Sequence, residues 1–253
     1  MIYGYPGLFP KEYNRYIEPF LGSGAIFFNL KPKKAILSDL NSELIETYCA
    51  IRDNYKRVET ELRKHHRNHN KSYYYEMRSK RLRKSVTRAA QFIYLNRTCW
   101  NGLYRVNRNG VFNVPVGTKT NVVLPTDNFR GISKLLKRVQ LMDKDFESII
   151  AKAKDGDLLF IDPPYTVKHN NNNFRKYNEH IFSWEDQIRL CDSLLAAKER
   201  GAKIIICNAD NKSVIKLYKY IGKVFKLNRF SGLAADPSKR QNTTELAIVN
   251  TLS

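Results

Sequence analysis

Short apolar runs alternate with amphipathic stretches along most of this chain, an order that few folds accommodate. The apolar runs predict seven strands, at residues 15–20, 34–39, 140–145, 157–161, 203–207, 223–230 and 244–250. Helices are predicted between them, at residues 24–30, 41–54, 146–153, 184–200 and 212–221. Ser183 with Asp186 forms a capping box that opens the helix at 184–200, and Gly201 ends it. Strands that alternate with helices predict an α/β fold, a Rossmann-like doubly wound parallel sheet with helices on both faces.

A basic segment interrupts this alternation. Residues 51–140 contain 21 Lys and Arg against 5 Asp and Glu, whereas the whole chain has 44 against 24 and a formal net charge of +20. So much like charge in one third of the sequence repels itself unless a polyanion is bound, which favours nucleic acid as a partner over an ordinary solvated surface. The segment is mostly helical by pattern, most clearly at 85–100, and Asn109-Gly110 predicts a β-hairpin. We therefore predict a discontinuous domain of residues 1–54 and 140–253, with residues 55–139 inserted as a basic subdomain.

Aromatic residues are interleaved with the basic ones in this segment. They are Tyr73, Tyr74, Tyr75, Tyr94, Trp100 and Tyr104. Such rings either stack on unpaired bases or fill a small core, and composition does not separate the two.

The histidines and cysteines predict neither a metal site nor a disulfide. His65 and His69 have the i, i+4 spacing of a metal-binding pair, but no acidic or cysteine partner accompanies them or His66, so we expect exposed basic histidines. The cysteines are widely spaced in apolar stretches and predict reduced core thiols. No apolar run approaches eighteen residues, and the N-terminus lacks a basic stretch followed by an apolar one. We therefore predict neither a membrane span nor a secretory signal, and a cytoplasmic protein.

A glycine-containing turn, Glu18-Pro19-Phe20-Leu21-Gly22-Ser23-Gly24, follows the first predicted strand. Glycines let a ligand approach the backbone at the start of a helix, although a tight strand-to-helix turn explains them equally well. Asp39, at the end of the second strand, favours the ligand interpretation, because an acidic residue there can hold ribose hydroxyls. Asp145-Phe146, after the third strand, can give an adenine ring a hydrogen-bond acceptor and an apolar wall.

The sequence Asp162-Pro163-Pro164-Tyr165 directly follows a buried strand and so lies at the carboxyl edge of the sheet, where α/β proteins bind ligands. The two prolines make the backbone extended and rigid. An aromatic amine such as adenine N6 is a poor nucleophile, and the Asp162 carboxylate with the Pro163 carbonyl can accept its two N–H groups and direct its lone pair at an electrophilic methyl group. Tyr165 can stack on the base. A strand-terminating Pro-Pro turn is the alternative.

With these motifs in this order, the sequence resembles the Dam-like, D12 class of S-adenosylmethionine-dependent DNA adenine-N6 methyltransferases. The F-x-G-x-G element at Phe20 and the D-P-P-Y element at Asp162 carry the resemblance, and its most specific stretch is NRTCWNGLYRVNRNGVFNVPVG at residues 96–117. The resemblance implies a prokaryotic or phage-encoded enzyme, often of a restriction-modification system, that methylates a flipped-out adenine in double-stranded DNA, in a GATC-like site. It implies S-adenosyl-L-methionine as cofactor, bound by the discontinuous domain, and target recognition by the inserted one. We expect a monomer without a metal.

The resemblance also implies the roles of individual residues. The catalytic element is Asp162, Pro163, Pro164 and Tyr165. The cofactor-binding residues are Tyr5, Gly7, Glu18, Pro19, Phe20, Gly22, Ser23, Gly24, Asp39, Asp145, Phe146 and Asp162. The DNA-binding residues are Arg97, Trp100, Asn101, Leu103, Arg105, Asn107, Asn109, Pro115, Phe174 and Tyr177. Arg105 suits bidentate pairing with guanine, and Leu103 or Pro115 suits a thymine methyl group.

The N-terminus departs from the family pattern. Relatives carry a G-G-K element and then a helix before the first strand, whereas Leu8-Phe9 and Pro10 follow Tyr5-Pro6-Gly7 here. Since that lysine touches cofactor and DNA in relatives, we expect weakened cofactor binding and impaired methylation. Two alternatives therefore stay open: a catalytically weak or silent DNA-binding remnant of the family, and an RNA adenine methyltransferase. The related glutamine-modifying enzymes carry N-P-P-Y and cytosine-N4 enzymes S-P-P-Y, so Asp162 favours adenine.

Overall fold

A computed structural model describes residues 5–107, 110–166, 182–230 and 242–251, with only the backbone at residues 229, 230, 242 and 243. The chain divides into two compact units. The first contains Met1–Leu40 and Met142–Ser253, and the second contains Asn41–Leu141.

Seven strands, counted over the described residues, form one mixed sheet. They are β1 (Tyr16–Glu18), β2 (Ala35–Ser38), β3 (Val139–Met142), β4 (Leu158–Ile161), β5 (Lys203–Ala209), β6 (Lys223–Phe230) and β7 (Asn242–Val249). Their order is β3-β2-β1-β4-β5-β7-β6. β1 is parallel to β2 and β4, and β4 is parallel to β5, whereas β7 is antiparallel to β5 and β6. The α/β class is confirmed. The last strand, β7, is antiparallel and lies between β5 and β6, whereas the alternation of strands and helices by itself predicts only parallel neighbours.

Eight helices lie in the described part of the chain. They are α1 (Ala25–Leu30), α2 (Ser42–Asn68), α3 (Lys71–Ser79), α4 (Ser85–Thr98), α5 (Phe129–Leu136), α6 (Phe146–Ile150), α7 (Trp184–Glu199) and α8 (Lys212–Tyr218). The predicted capping box is present, since Ser183 Oγ accepts the Asp186 N–H at 3.1 Å and the Asp186 carboxylate accepts the Ser183 N–H at 2.9 Å. No helix among them is long and apolar enough to span a membrane.

The central strands of the first unit are buried on both faces. All four residues of β4 are buried, and Ile204, Ile205 and Ile206 of β5 are fully inaccessible. Continuous apolar strands of this kind are typical of sheets covered by helices on both sides. The polar residues that follow such strands are consequently left at the sheet edge, where ligands can reach them.

The second unit is helical and carries a short hairpin. Helix α2 continues past residue 54, the predicted end, to Asn68, because Val58 and Leu62 extend its buried stripe, but Asn54 has the non-helical dihedral angles φ −141° and ψ 40°. The predicted domain boundary at 54/55 falls at this kink, whereas the compact units divide at 40/41. In the hairpin, antiparallel bridges join Val106 to Phe112 and Cys99 to Val116.

Candidate active site and DNA-reading segment

The glycine turn joins β1 to α1 in the first unit. Gly22 and Gly24 have positive φ values, 47° and 64°, that residues with a Cβ rarely adopt, and a Cβ on Gly24 would lie 2.8 Å from the Phe28 ring. The Gly22 N–H donates to Asp39 Oδ2 at 2.9 Å, which ties the turn to the end of β2. Asp39 therefore lies directly beside the turn, and its predicted contact with a ribose stays a prediction.

A cleft of about 240 Å³ opens beside this turn, wholly within the first unit. From the turn it is lined by Glu18, Phe20, Leu21, Gly22 and Ser23. From β4, β5, β7 and the segment after β4 it is lined by Phe160, Asp162, Tyr165, Cys207 and Glu245. The two motifs that lie 138 positions apart in the sequence thus share one cavity with three carboxyl side chains.

Glu18 is the most buried of these carboxyls, with 3% of its surface exposed. Its Oε2 accepts a hydrogen bond from the Tyr16 hydroxyl at 2.9 Å. Burial is the main cause that raises the pKa of Glu18 to about 8; the Tyr16 hydrogen bond opposes it, and the charges of Asp162 and Asp39 act in the same direction as burial. Burial likewise raises the pKa of Tyr16 well above its usual value. Glu18 is therefore predominantly a neutral carboxylic acid at pH 7.

The D-P-P-Y element extends from the end of β4. Asp162 is exposed, Pro163 is buried, and Pro164 and Tyr165 are half-buried. The Tyr165 hydroxyl donates to Glu245 Oε2 at 3.3 Å, across 80 positions of sequence. The adjacent Thr166 is buried and donates to the Phe182 carbonyl at 2.6 Å, which fixes the far end of the element.

Asp145 and Phe146 lie at the start of α6. The Asp145 carboxylate caps this helix by accepting the Glu147 N–H at 3.0 Å, and it also pairs with Arg189 at 3.1 Å. Phe146 is 5% exposed and packs on Phe20, with ring centroids 5.4 Å apart, while the Arg189 guanidinium lies 4.9 Å from the Phe146 ring centroid. The Phe146 ring is thus largely core, and its predicted contact with an adenine stays a prediction.

The N-terminal residues predicted to bind cofactor lie outside the lining of the cleft described above. Tyr5 and Gly7 are exposed, and the Tyr5 hydroxyl accepts the Asn228 N–H at 3.3 Å. Leu8 is buried, and Phe9 stacks on Phe160 with ring centroids 6.2 Å apart. The residues that replace G-K are therefore packed into the first unit, against a residue of the cleft wall.

The predicted DNA-reading residues follow α4 in the second unit. Trp100 is 50% exposed, Asn101 adopts the positive φ of 54° that is strained for a residue with a side chain, and Leu103 is half-buried. Arg105 is exposed, and its Nε donates to Asn113 Oδ1 at 2.9 Å across the hairpin. This bond leaves the two terminal NH₂ groups as the part of the guanidinium that a base edge would meet.

Two further residues of the predicted set complete the hairpin. The Asn107 N–H donates to the Val111 carbonyl at 2.9 Å, and the exposed Pro115 accepts the Trp100 N–H at 2.9 Å. Asn109, Phe174 and Tyr177 lie outside the described residues.

The contacts of the Arg97 side chain indicate a structural role. Its guanidinium makes two 2.7 Å hydrogen bonds to the Asp127 carboxylate and a third, also 2.7 Å, to the Val122 carbonyl. Both side chains are largely shielded from solvent, with 24% and 12% exposed. These contacts tie α4 to the chain before α5, so we leave Arg97 out of the proposed DNA-reading set.

Two of the six aromatic rings interleaved with the basic residues of this segment lie in a core. Tyr74 and Tyr94 are fully buried, and the Tyr74 hydroxyl donates to the Val114 carbonyl at 2.9 Å, which anchors the hairpin. The expectation of exposed histidines is wrong for His65, which is 6% exposed and stacks on Tyr94 at 4.8 Å. Burial lowers the pKa of His65 to about 4. No cluster of three potential metal ligands occurs in the described ranges.

Several residues of the cleft were not anticipated from sequence. Cys207 and Glu245 line the cleft but were absent from the predicted site, as was Tyr16, which lies behind the lining and donates a hydrogen bond to Glu18. Glu245 alone gave a signal, as an acidic residue immediately before the apolar run of the last strand. The four cysteines, all within the described residues, form no disulfide; Cys99, Cys191 and Cys207 are buried, as predicted for core thiols, whereas Cys49 is only half-buried.

Comparison with known proteins identifies the family. The profile of the D12 class N6 adenine-specific DNA methyltransferases matches residues 7–230. The chain is 36% identical to the Type II methyltransferase M1.LlaDCHI of Lactococcus lactis subsp. cremoris over 96% of its length and 88% of that protein. It is 31% identical to the Type II methyltransferase M.CviBI of Paramecium bursaria Chlorella virus NC1A, over 95% and 91%. It is 30% identical to the DNA adenine methylase of Escherichia coli (strain K12), over 80% and 74%. This chain belongs to the D12 class of N6 adenine-specific DNA methyltransferases.

Proposed function

We propose that this DNA adenine methyltransferase takes S-adenosyl-L-methionine as its methyl donor in the cleft beside Gly22, and that Asp162 presents a flipped-out adenine to it. The observation that carries the proposal is that the glycine turn, Asp162 and Tyr165 line a single cavity. Extrusion of the base is required because adenine N6 is paired inside the duplex. The target would be a GATC-like site.

The cleft fits this donor by its chemistry. Gly22 leaves open space where a side chain would be. The carboxylates of Asp39 and Asp162 suit a ligand with positive charge and hydroxyl groups, and the neutral Glu18 carboxyl adds a hydrogen-bonding group. When bound, S-adenosylmethionine supplies an electrophilic methyl group. Phe20, Gly22 and Gly24 would hold its methionine part and Asp39 its ribose. Asp145 and Phe146, at the start of α6, would meet its adenine.

Positioning the adenine falls to the D-P-P-Y element. The Asp162 carboxylate and the Pro163 carbonyl would accept the two N6–H groups, which draws the nitrogen lone pair out of the ring. Tyr165 would stack on the base, a contact worth roughly 1–3 kcal/mol. Catalysis in this scheme is orientation plus electrostatics, and the same carboxylate is available to receive the proton that N6 loses.

DNA recognition would fall to the second unit. Asn41–Leu141 contains 21 Lys and Arg against seven Asp and Glu, which supplies attraction to the phosphates. Trp100, Asn101, Leu103, Arg105 and Pro115 would enter the duplex or touch base edges, with the guanidinium of Arg105 on a guanine. Asn107 would complete the contacts. Because the substrate is DNA and the relatives are prokaryotic and viral, we propose a monomeric enzyme of the prokaryotic cytoplasm.

Transfer of a labelled methyl group to duplex DNA tests the proposal. Asp162→Ala should lower transfer by about 100-fold or more while changing duplex affinity by less than about twofold. Asp192→Ala, which removes an exposed carboxylate from α7, is the matched control and should change neither. Full transfer by Asp162→Ala would refute the mechanism. Duplex binding without any transfer by the wild-type protein would favour the silent remnant, and preferential competition by structured RNA would favour the RNA methyltransferase.

A further inference from the structure

Glu245 lies in the cleft without a role in the mechanism above. It faces Ala209 in the antiparallel register of β5 with β7, which places it beside the carboxyl end of β5. Its side chain lines the same cavity as Asp162 and is only 5% exposed. The Tyr165 hydroxyl donates to its Oε2 at 3.3 Å.

A carboxylate is unfavourable at a position as buried as that of Glu245. Burial of a charged group is unfavourable unless hydrogen bonds compensate for the lost water. The next four residues of β7, from Leu246 to Val249, are fully buried and apolar, so an apolar side chain would suit the strand equally well. What the carboxylate adds is a strong acceptor for the hydroxyl of Tyr165.

We infer that Glu245 is a positioning residue for methyl transfer, which holds the Tyr165 ring at the place where it stacks on the target base. The inference rests on the proposed stacking role of Tyr165. The hydroxyl of a tyrosine lies on the long axis of its ring, so a bond to the hydroxyl fixes the direction of that axis and with it the position of the ring. The backbone holds one end of Tyr165, just before the buried Thr166, and Glu245 holds the hydroxyl at the other end. Stacking demands a defined ring position, so loosening the hydroxyl should weaken the contact with the base without removing the ring.

The rival role for Glu245 is a direct contact with the methyl donor, since it lines the cleft. The two roles differ in their partner. A positioning role acts through Tyr165, so loss of the Glu245 carboxylate and loss of the Tyr165 hydroxyl should have the same effect. A donor-binding role does not involve the hydroxyl and should raise the KM for the donor.

A double-mutant cycle separates these roles. Glu245→Ala and Tyr165→Phe should each lower kcat by about tenfold, as expected for one hydrogen bond to a charged acceptor, and the double variant should be no worse than either. Glu245→Gln keeps an acceptor oxygen and should recover most of the activity. The KM for S-adenosylmethionine and the duplex affinity should stay within about twofold of wild type. Multiplying effects in the double variant, or a large rise in KM for Glu245→Gln, would overturn the inference.

Base fluorescence gives a readout that does not require methyl transfer. A duplex with 2-aminopurine at the target position brightens when the base leaves the stack and is quenched when it stacks on an aromatic ring. Glu245→Ala should brighten the bound duplex relative to wild type, and Tyr165→Phe should match it. Unchanged fluorescence in both variants would contradict the positioning role. Binding of this duplex without brightening by the wild type and by both variants would instead refute the proposed base flipping, whereas equal brightening by all three would contradict only the positioning role.

Discussion

The buried Glu18 carboxyl should make the stability of the first unit fall with rising pH near neutrality. In the folded chain its pKa lies at about 8, against a usual value of 4.5, because burial disfavours the charged form. Between these two values the folded chain holds a proton that the unfolded chain has released. The free energy of unfolding therefore decreases as pH rises through this range and levels off above the folded pKa.

The size of the effect follows from the same two values. Between the two pKa values the free energy of unfolding falls by about 5 kcal/mol in total, and about 2 kcal/mol of this is lost between pH 6 and pH 8. Glu18→Gln keeps the shape and an acceptor for the Tyr16 hydroxyl but cannot ionise. The free energy of unfolding of the variant should therefore equal that of wild type in acid. Between pH 6 and pH 8 the difference in favour of the variant should grow by about 2 kcal/mol.

Urea unfolding measured at several pH values tests this reasoning. The chain has two tryptophans, Trp100 in the second unit and Trp184 in the first, so a Trp100→Phe background makes fluorescence report on the first unit. Glu12→Gln, which changes an exposed glutamate of the same unit, is the matched control and should run parallel to wild type. Parallel curves for wild type and Glu18→Gln between pH 6 and pH 8 would show that Glu18 is ionised in the folded chain, and the argument would fail.

Three further predictions concern DNA and cofactor. In a methylation assay on DNA sites with single base-pair substitutions, Arg105→Ala should relax the sequence preference at one base pair by roughly 1–3 kcal/mol. Arg97→Ala should instead lower the thermal stability of the protein and leave the sequence preference intact. Unchanged preference for Arg105→Ala would remove it from the reading set. Duplex affinity should fall with salt concentration at a log–log slope of about −0.9 per phosphate neutralised. An affinity that does not change with salt would mean that the basic residues of the second unit do not contact DNA phosphates. Isothermal titration should show weakened S-adenosylmethionine binding if Leu8-Phe9 replace a cofactor contact, and affinity equal to that of relatives with G-G-K would contradict this.

Local patterns were sufficient for the strands and for the two motifs. A run such as residues 158–161 is apolar throughout, so it had to be a buried strand, and Asp162 had to follow it at the sheet edge. The same reasoning ended a helix at residue 54, where Asn54 does break the helical dihedral angles of α2, but it gave no bounds for the segment that continues to Asn68, because basic residues around Val58 and Leu62 masked a stripe that is fully buried in the fold. A high density of charged residues therefore does not show that a helix has no buried face.

Contacts between distant residues were beyond such reasoning. The ion pair of Arg97 with Asp127 spans 30 positions and the hydrogen bond of Tyr165 with Glu245 spans 80, and no periodicity connects these pairs. The expected exposure of His65 was wrong for the same reason, since its burial depends on the stacking of Tyr94 from another helix. Burial also determines the protonation of Glu18, which the sequence Glu18-Pro19-Phe20 does not reveal.

Charge serves opposite purposes in the two units. The excess of basic residues in Asn41–Leu141 attracts phosphates regardless of sequence, and it would draw a phosphate into any open cavity that tolerated one. The cleft of the first unit is lined instead by the carboxyls of Glu18, Asp162 and Glu245. Carboxylates repel the phosphate oxygens but accept the N–H groups of a neutral base. In the proposed function, an acidic cleft would therefore admit an extruded adenine while keeping the backbone that carries it outside, and the neutral form of Glu18 would limit the mutual repulsion of the carboxyls until a positively charged donor is bound.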